Sequence, residues 1–174
     1  MILIGLGASL PGPGGVAPLE TCRRAAAALD RAVPGLRLQA LSGWWESEPV
    51  PPQPGAPRFV NGVARLEGGA ALQPIALLCA LQGIEAAHGR ERPYPNAPRS
   101  LDLDLLDCDG TLSDDPALTL PHPRLHLRRF VLAPLAEVAP LWRHPRMGEG
   151  VAGLLAAVAE QACRRLPETR AAPI

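Results

Sequence analysis

The chain has 174 residues, 47% of them hydrophobic and 20% charged, a length at which a compact core forms without disulfides or structural metal. Lys+Arg and Asp+Glu each total 17, so the formal charge is zero, which rules against bulk electrostatic attachment to nucleic acid or to an anionic membrane. The 21 prolines and 17 glycines predict long irregular loops.

Residues 2–6 form a short apolar run ended by Gly7, as a buried strand followed by a turn would. PGPGG at 11–15 is a loop, and Pro18 suits the first turn of a helix running to about 32, where Pro34 and Gly35 stop it. Alternation over 36–41 predicts a half-buried second strand. ESEPVPPQPGAPR at 46–58 carries five prolines and is expected to be a loop throughout. Alternation returns over 59–66 as a third strand. From 72 to 88 the apolar spacing is that of an amphipathic helix, with Pro74 near its start and Gly89 after it. RERPYPNAPRS at 90–100 is a second proline-rich loop holding three arginines, and 101–106 is a fourth strand.

The order strand–helix–strand–strand–helix–strand predicts an α+β, ferredoxin-like sandwich, two helices covering one face of an antiparallel sheet. The remainder, LTLPHPRLHLRRFVLAPLAEVAP at 118–140 and a helix near 150–165, extends or flanks that core. No repeat or boundary is visible, so one domain over 1–174 is expected. Cys22, Cys79, Cys108 and Cys163 show no Cys-x-x-Cys pair and are expected to be reduced, buried thiols. No Lys or Arg precedes Arg23 and no apolar stretch reaches the ~18 residues of a membrane span, so a soluble cytoplasmic chain is expected.

The sharpest chemical feature is LDLDLL at 101–106, because residues two apart on a strand share a face, with Cα atoms about 7 Å apart. Asp102 and Asp104 then project together while Leu101, Leu103 and Leu105 face the core. Two carboxylates this close need a compensating cation, and hard oxygens suit Mg²⁺, which completes its shell with phosphate oxygens and water. The bland reading is an exposed strand face that happens to be acidic, as Asp107 and Asp109 are expected to be. Arg90, Arg92 and Arg99 lie just upstream, and Arg124, Arg128 and Arg129 follow; guanidinium groups with Mg²⁺ offset the charge of a polyphosphate. Neither a GxxxxGK[ST] loop nor a kinase-type glycine loop is present. Only six residues are Phe, Trp or Tyr. Among them Phe59 and Phe130, with Asn61 on the face of Phe59, offer ring faces and an edge-pairing amide to a flat heteroaromatic ligand, although each Phe alone reads as core. Trp44, Trp45 and Trp142 read as packing. His122, between two prolines, has a stiff backbone and suits a phosphate donor, a proton-transfer group or a capped turn.

GLGASL at 5–10, WWESEPV at 44–50, RFVNGVARLE at 58–67, GIEAAHGRERPYPNAPRSLDLDLL at 83–106 and the 118–140 segment together resemble the 6-hydroxymethyl-7,8-dihydropterin pyrophosphokinase family. The resemblance implies the ferredoxin-like fold and a folate-pathway transferase that moves diphosphate from ATP to the pterin hydroxymethyl group. It implies two Mg²⁺ ions on Asp102 and Asp104, with ATP as co-substrate. Arg90, Arg92 and Arg99 would serve the triphosphate, joined by His122 and Arg128. Phe59 and Phe130 would sandwich the pterin, Asn61 would pair with its edge, and Gly7, Ser47 and Pro49 would complete that pocket. Gln82 and Glu85 would line the cleft, with Leu105, Leu118 and Thr119 beside the adenine. The expected partners are these small molecules, with no nucleic acid or membrane, and the chain is expected to be a monomer or a dimer. The chain departs from the family's pattern at Gly7-Ala8-Ser9, where Gly-Ser-Asn is usual, at Asn96, where a Trp is common, and at Pro123. A second reading from another class is a weakly active or inactive paralogue that binds a pterin or nucleotide. A third, a ferredoxin-like RNA-binding domain, wants the basic and aromatic sheet face that this composition lacks.

Overall fold

Strand β1 (Ile2–Ala8) has apolar side chains on both faces, which suits it to the middle of a sheet. Ile2, Ile4 and Leu6 enter one core layer and Leu3 the other. The computed structural model describes residues 1–68, 73–89 and 98–167. In it β1 is flanked by two antiparallel neighbours, β4 (Phe59–Gly68) and β5 (Asp102–Cys108). The ten-residue β4 is long enough to serve two partners on its other side: β2 (Leu36–Leu41) along its second half and β3 (Trp45–Ser47) along its first. Taking the four predicted strands alone, the order is β5-β1-β4-β2, the ferredoxin-like arrangement the element order implied.

Helices α1 (Pro18–Leu29) and α2 (Pro74–Ala87) cover one face, packing Ala25, Ala26, Leu29, Leu77 and Leu81 on the sheet. The opposite face carries a second layer, in which α3 (Arg129–Val138) and α4 (Val151–Ala157) pack on Leu3, Val63 and Leu106. A hairpin of β6 (Ser113–Asp115) and β7 (Leu118–Leu120) follows β5, and a 3-10 turn at Leu125–Leu127 leads into α3. Among the described residues no helix is long and apolar enough to cross a membrane.

Several expectations need correction. The first helix stops at Leu29, not 32: the carboxylate of Asp30 turns to the Leu38 amide (2.9 Å), and Arg31 and Ala32 make tighter bonds to Ala28 and Leu29. Glu46 and Ser47, assigned to a loop, belong to β3, because the prolines begin only at Pro49 and the edge of β4 is open to pairing. The helix near 150–165 covers only Val151–Ala157. The chain then forms β8 (Cys163–Arg165), which pairs with the outer edge of β3 as Arg164 and Arg165 find carboxylates at Glu46 and Glu137. All four cysteines are free, yet Cys79 is exposed on the solvent side of α2 and Cys163 only half-buried. Cys22 fits the expectation, with burial pushing its thiol up to about 12.

Asp107 is the most informative exception. The β1–β5 register steps from Leu3↔Asp107 to Ile4↔Leu105, so Leu106 is the extra residue of a β-bulge. Beyond the bulge the alternation is reset, and Asp107 turns into the α3 layer, where its Oδ2 accepts the Trp142 indole N–H at 2.9 Å. It is 2% exposed and not part of an acidic outer face; Asp109 alone fits that description.

Candidate active site

The floor of the site is the C-terminal half of β1. Gly7 pairs with Asn61 on one side and Asp102 on the other, and Gly5 pairs with Asp104. A Cβ on Gly7 would lie 3.7 Å from Asn61 Oδ1 and 4.0 Å from Asp102 Cβ. The missing side chain therefore opens a trough between an amide and a carboxylate. Asp102 and Asp104 share the face that looks into this trough, while Leu101, Leu103 and Leu105 are buried in the α1–α2 layer. The cleft above them holds about 290 Å³.

Along its β3–β4 side the cleft presents Phe59, Asn61, Ser47 and Pro49. Asn61 is buried, and its Nδ2 donates to Ser47 Oγ at 3.0 Å. That bond sets the orientation of the amide and leaves Oδ1 toward Gly7. Phe130, at the start of α3, lines the same cleft, with the Arg128 guanidinium 5.5 Å from its ring centroid. Phe59 and Phe130 thus border one space together with the edge of Asn61.

The cationic side comes from Arg99, Arg124 and Arg128, with His122. Arg99 Nη1 lies 2.9 Å from Asp102 Oδ1. The backbone of Arg99 is tied to the end of β1: its carbonyl accepts the Ser9 and Leu10 amides, and its own amide donates to Ser9 Oγ at 3.1 Å. Ser9 is therefore a brace between the end of β1 and Arg99. His122 is held by its amide on the Leu106 carbonyl (2.8 Å), and its Nδ1 accepts the Arg124 amide at 3.2 Å. Nε2 is then the N–H nitrogen, 4.0 Å from Asp104 Oδ2. Burial, reinforced by the charges of Arg128 and Arg124, pushes His122 down to about 4, so the imidazole is neutral at pH 7. Burial and the Arg124 charge also lower Arg128 below the usual guanidinium value.

A second cleft, of about 230 Å³, meets the first at Asp104 and His122. It is lined by Gln82 and Glu85 from α2 and by Leu105, Leu118 and Thr119. Glu85 is buried, and its Oε1 accepts the Leu103 amide at 2.7 Å, fixing α2 against the strand that carries both aspartates. Among the described residues no third His, Cys, Asp or Glu joins the two aspartates in a metal cage. The donor set still fits Mg²⁺, which takes one or two carboxylates and completes its shell with phosphate oxygens and water.

Residues 3–140 match the family model of 7,8-dihydro-6-hydroxymethylpterin-pyrophosphokinase (HPPK). The chain belongs to the HPPK family. It is 44% identical over 150 residues to the 2-amino-4-hydroxy-6-hydroxymethyldihydropteridine pyrophosphokinase of Pseudomonas aeruginosa, covering 86% of this chain and 90% of that protein. It is 36% identical over 154 residues to the enzyme of that name in Synechocystis, covering 88% and 73%. Among solved structures, a Plasmodium falciparum HPPK-DHPS triple mutant superposes with a TM-score of 0.65 at 11% identity over 90% of this chain. The HPPK chain spans only 44% of that longer protein, and the likeness speaks for the fold.

Every site residue expected from the HPPK resemblance that lies among the described residues borders one of the two clefts. Arg90 and Arg92 fall outside the described residues, as do Tyr94 and Asn96. Sequence reasoning missed Gly5, Gln53 and Val131 as cleft residues and gave Arg124 no role of its own. Gly5 was findable, two residues before Gly7 on the same strand face; Gln53 sits in the proline-rich loop, where no periodicity points anywhere.

Proposed function

We propose that this HPPK chain transfers diphosphate from ATP to 6-hydroxymethyl-7,8-dihydropterin in folate biosynthesis, releasing AMP. The observation that carries the reading is convergence: the cleft with two aromatic rings and a buried amide meets the second cleft at Asp104, beside His122 and the arginines. A pterin in the first and an adenosine in the second would bring the hydroxymethyl group and the triphosphate tail to the same pair of carboxylates.

The pterin stacks between Phe59 and Phe130 while Asn61, oriented by Ser47, pairs with its edge; Gly7 lets the ring approach β1. Gln82, Glu85, Leu105, Leu118 and Thr119 border the adenosine. The hydroxymethyl oxygen attacks the β-phosphorus in line, forming the new P–O bond as the bond to the AMP oxygen breaks with its electron pair staying on AMP, and the hydroxyl proton passes to solvent water. Arg99, Arg128 and His122 donate to the phosphate oxygens, with Arg90 and Arg92 assigned to the same charge. Asp102 and Asp104 would hold two Mg²⁺ ions, whose charge screens the phosphates and acidifies the acceptor hydroxyl.

The test is AMP release from ATP, the pterin and Mg²⁺. Asp102→Ala and Asp104→Ala are each expected to lower turnover by at least about 10³-fold with the fold retained. Near-normal turnover in either variant overturns the assignment, and binding of both substrates without AMP release by the native chain marks it as a binding module.

A further inference from the structure

Arg128, which lines the cleft from the α3 side, is the single extended residue (φ −127°, ψ 107°) between the 3-10 turn Leu125–Leu127 and α3, and it offers no side-chain cap to the helix it precedes. Its conformation is held from elsewhere. The side-chain amide of Gln161 donates from Nε2 to the Leu127 carbonyl at 2.8 Å and accepts the Arg129 amide on Oε1 at 2.9 Å. These are the peptide groups on either side of Arg128. An antiparallel ladder grips a residue in the same manner, through the carbonyl before it and the amide after it. One primary amide thus fixes both dihedrals of Arg128 and satisfies an otherwise uncapped first-turn N–H of α3. The Arg129 guanidinium adds a bond from Nη1 to the Ala159 carbonyl at 2.7 Å, seating the loop that carries Gln161. Gln161 lies beyond residue 140, where the family match ends.

We propose that Gln161 is a positioning residue for the transfer reaction, acting through Arg128 by locking the backbone from which that guanidinium reaches into the cleft beside Phe130. The proposal rests on the reading of Arg128 as a phosphate donor. Gln161 touches no substrate and takes no part in the chemistry. Its contribution is that the donor is already aimed when the triphosphate arrives, and a misplacement of about 1 Å can cost on the order of a hundredfold in rate.

The test is a cycle of four proteins: native, Gln161→Met, Arg128→Ala and the double variant. Methionine keeps the length and packing of glutamine while removing both hydrogen bonds; Gln161→Ala is made alongside it, and the melting temperature of each is recorded. Gln161→Met is expected to lower kcat about tenfold, with KM for ATP changed less than twofold. In the Arg128→Ala background the same substitution is expected to cost less than twofold, because the group it aims is gone. A tenfold loss that persists in the Arg128→Ala background overturns the proposal, as does full activity of Gln161→Met and Gln161→Ala beside an impaired Arg128→Ala. Full activity of Arg128→Ala itself removes the reading of Arg128, and the inference falls with it.

Discussion

His122 carries a measurable signature of its surroundings. Burial and two guanidinium groups hold its folded-state pKa near 4, below the ordinary 6.5. Because the folded state binds this proton less readily than the unfolded chain, its contribution to stability is present above about pH 6.5 and is lost as pH falls toward 4. Urea unfolding between pH 4 and 7 should show the native protein losing stability relative to His122→Asn as pH falls; parallel curves for the two contradict the shift. Gly7 gives a second test at this scale. Its absent Cβ would already lie in ordinary contact with Asn61 and Asp102, so Gly7→Val, with two further carbons, fills the trough. The expected result is a rise of at least about tenfold in KM for the pterin with KM for ATP unmoved, a pterin loss of the size of one misfitted apolar group. Asp102 and Asp104 were legible because period two on a short strand leaves little freedom. Asp107 was not, because one inserted residue at Leu106 resets the alternation and nothing in the sequence marks the insertion.

That bulge shows how an element can depend on a polar contact inside an apolar layer. The Trp142 indole donates to Asp107 Oδ2, while Oδ1 is buried without a partner among the described residues. Trp142→Phe keeps a ring in place and strands the carboxylate, which should cost about 1–3 kcal/mol in urea unfolding. Adding Asp107→Leu to Trp142→Phe removes the stranded group and should recover most of that loss; a double variant less stable than Trp142→Phe argues against the bond as the cause. The elements that escaped sequence reading share a cause: each is decided by tertiary partners and not by its own pattern. Helix α3 begins among arginines and carries Pro134 inside it, a residue that removes a backbone donor and obscures the helical reading. Strands β3 and β8 are three residues each, too short for alternation to register; β3 exists because the edge of β4 is open to it, and β8 because β3 in turn offers its outer edge. Strand β1 was legible as a short apolar run, and the other three long strands and the first two helices because their apolar spacing runs over six or more residues.

At the scale of the molecule, the Phe59–Asn61 side of the cleft lies at an edge assembled from three distant stretches of chain, and Glu137 of α3 joins them. Its carboxylate accepts the Gly43 amide at 2.7 Å and the Trp45 indole N–H at 3.0 Å, and lies 3.2 Å from Arg165 Nε on β8. Glu46 does similar work one residue along β3, between Arg58 and Arg164, whose hydrogen bonds hold its carboxyl below the usual range. The Glu46 pairs are largely exposed, so screening by water leaves them a small share of stability. Glu137 differs because two of its partners are neutral donors, Gly43 on the β2–β3 connection and Trp45 at the start of β3, and geometry more than charge is lost with it. Glu137→Gln keeps one acceptor oxygen and Glu137→Ala none. The expected order of stability is therefore native, then Gln, then Ala, with Ala lower by about 1–2 kcal/mol in urea unfolding. Since β3 ends in Ser47, which orients Asn61, Glu137→Ala should also raise KM for the pterin more than KM for ATP. Equal effects on both KM values would mean that this edge serves only the fold, and that the orientation of Asn61 is set within β3 and β4 without help from the helix behind them.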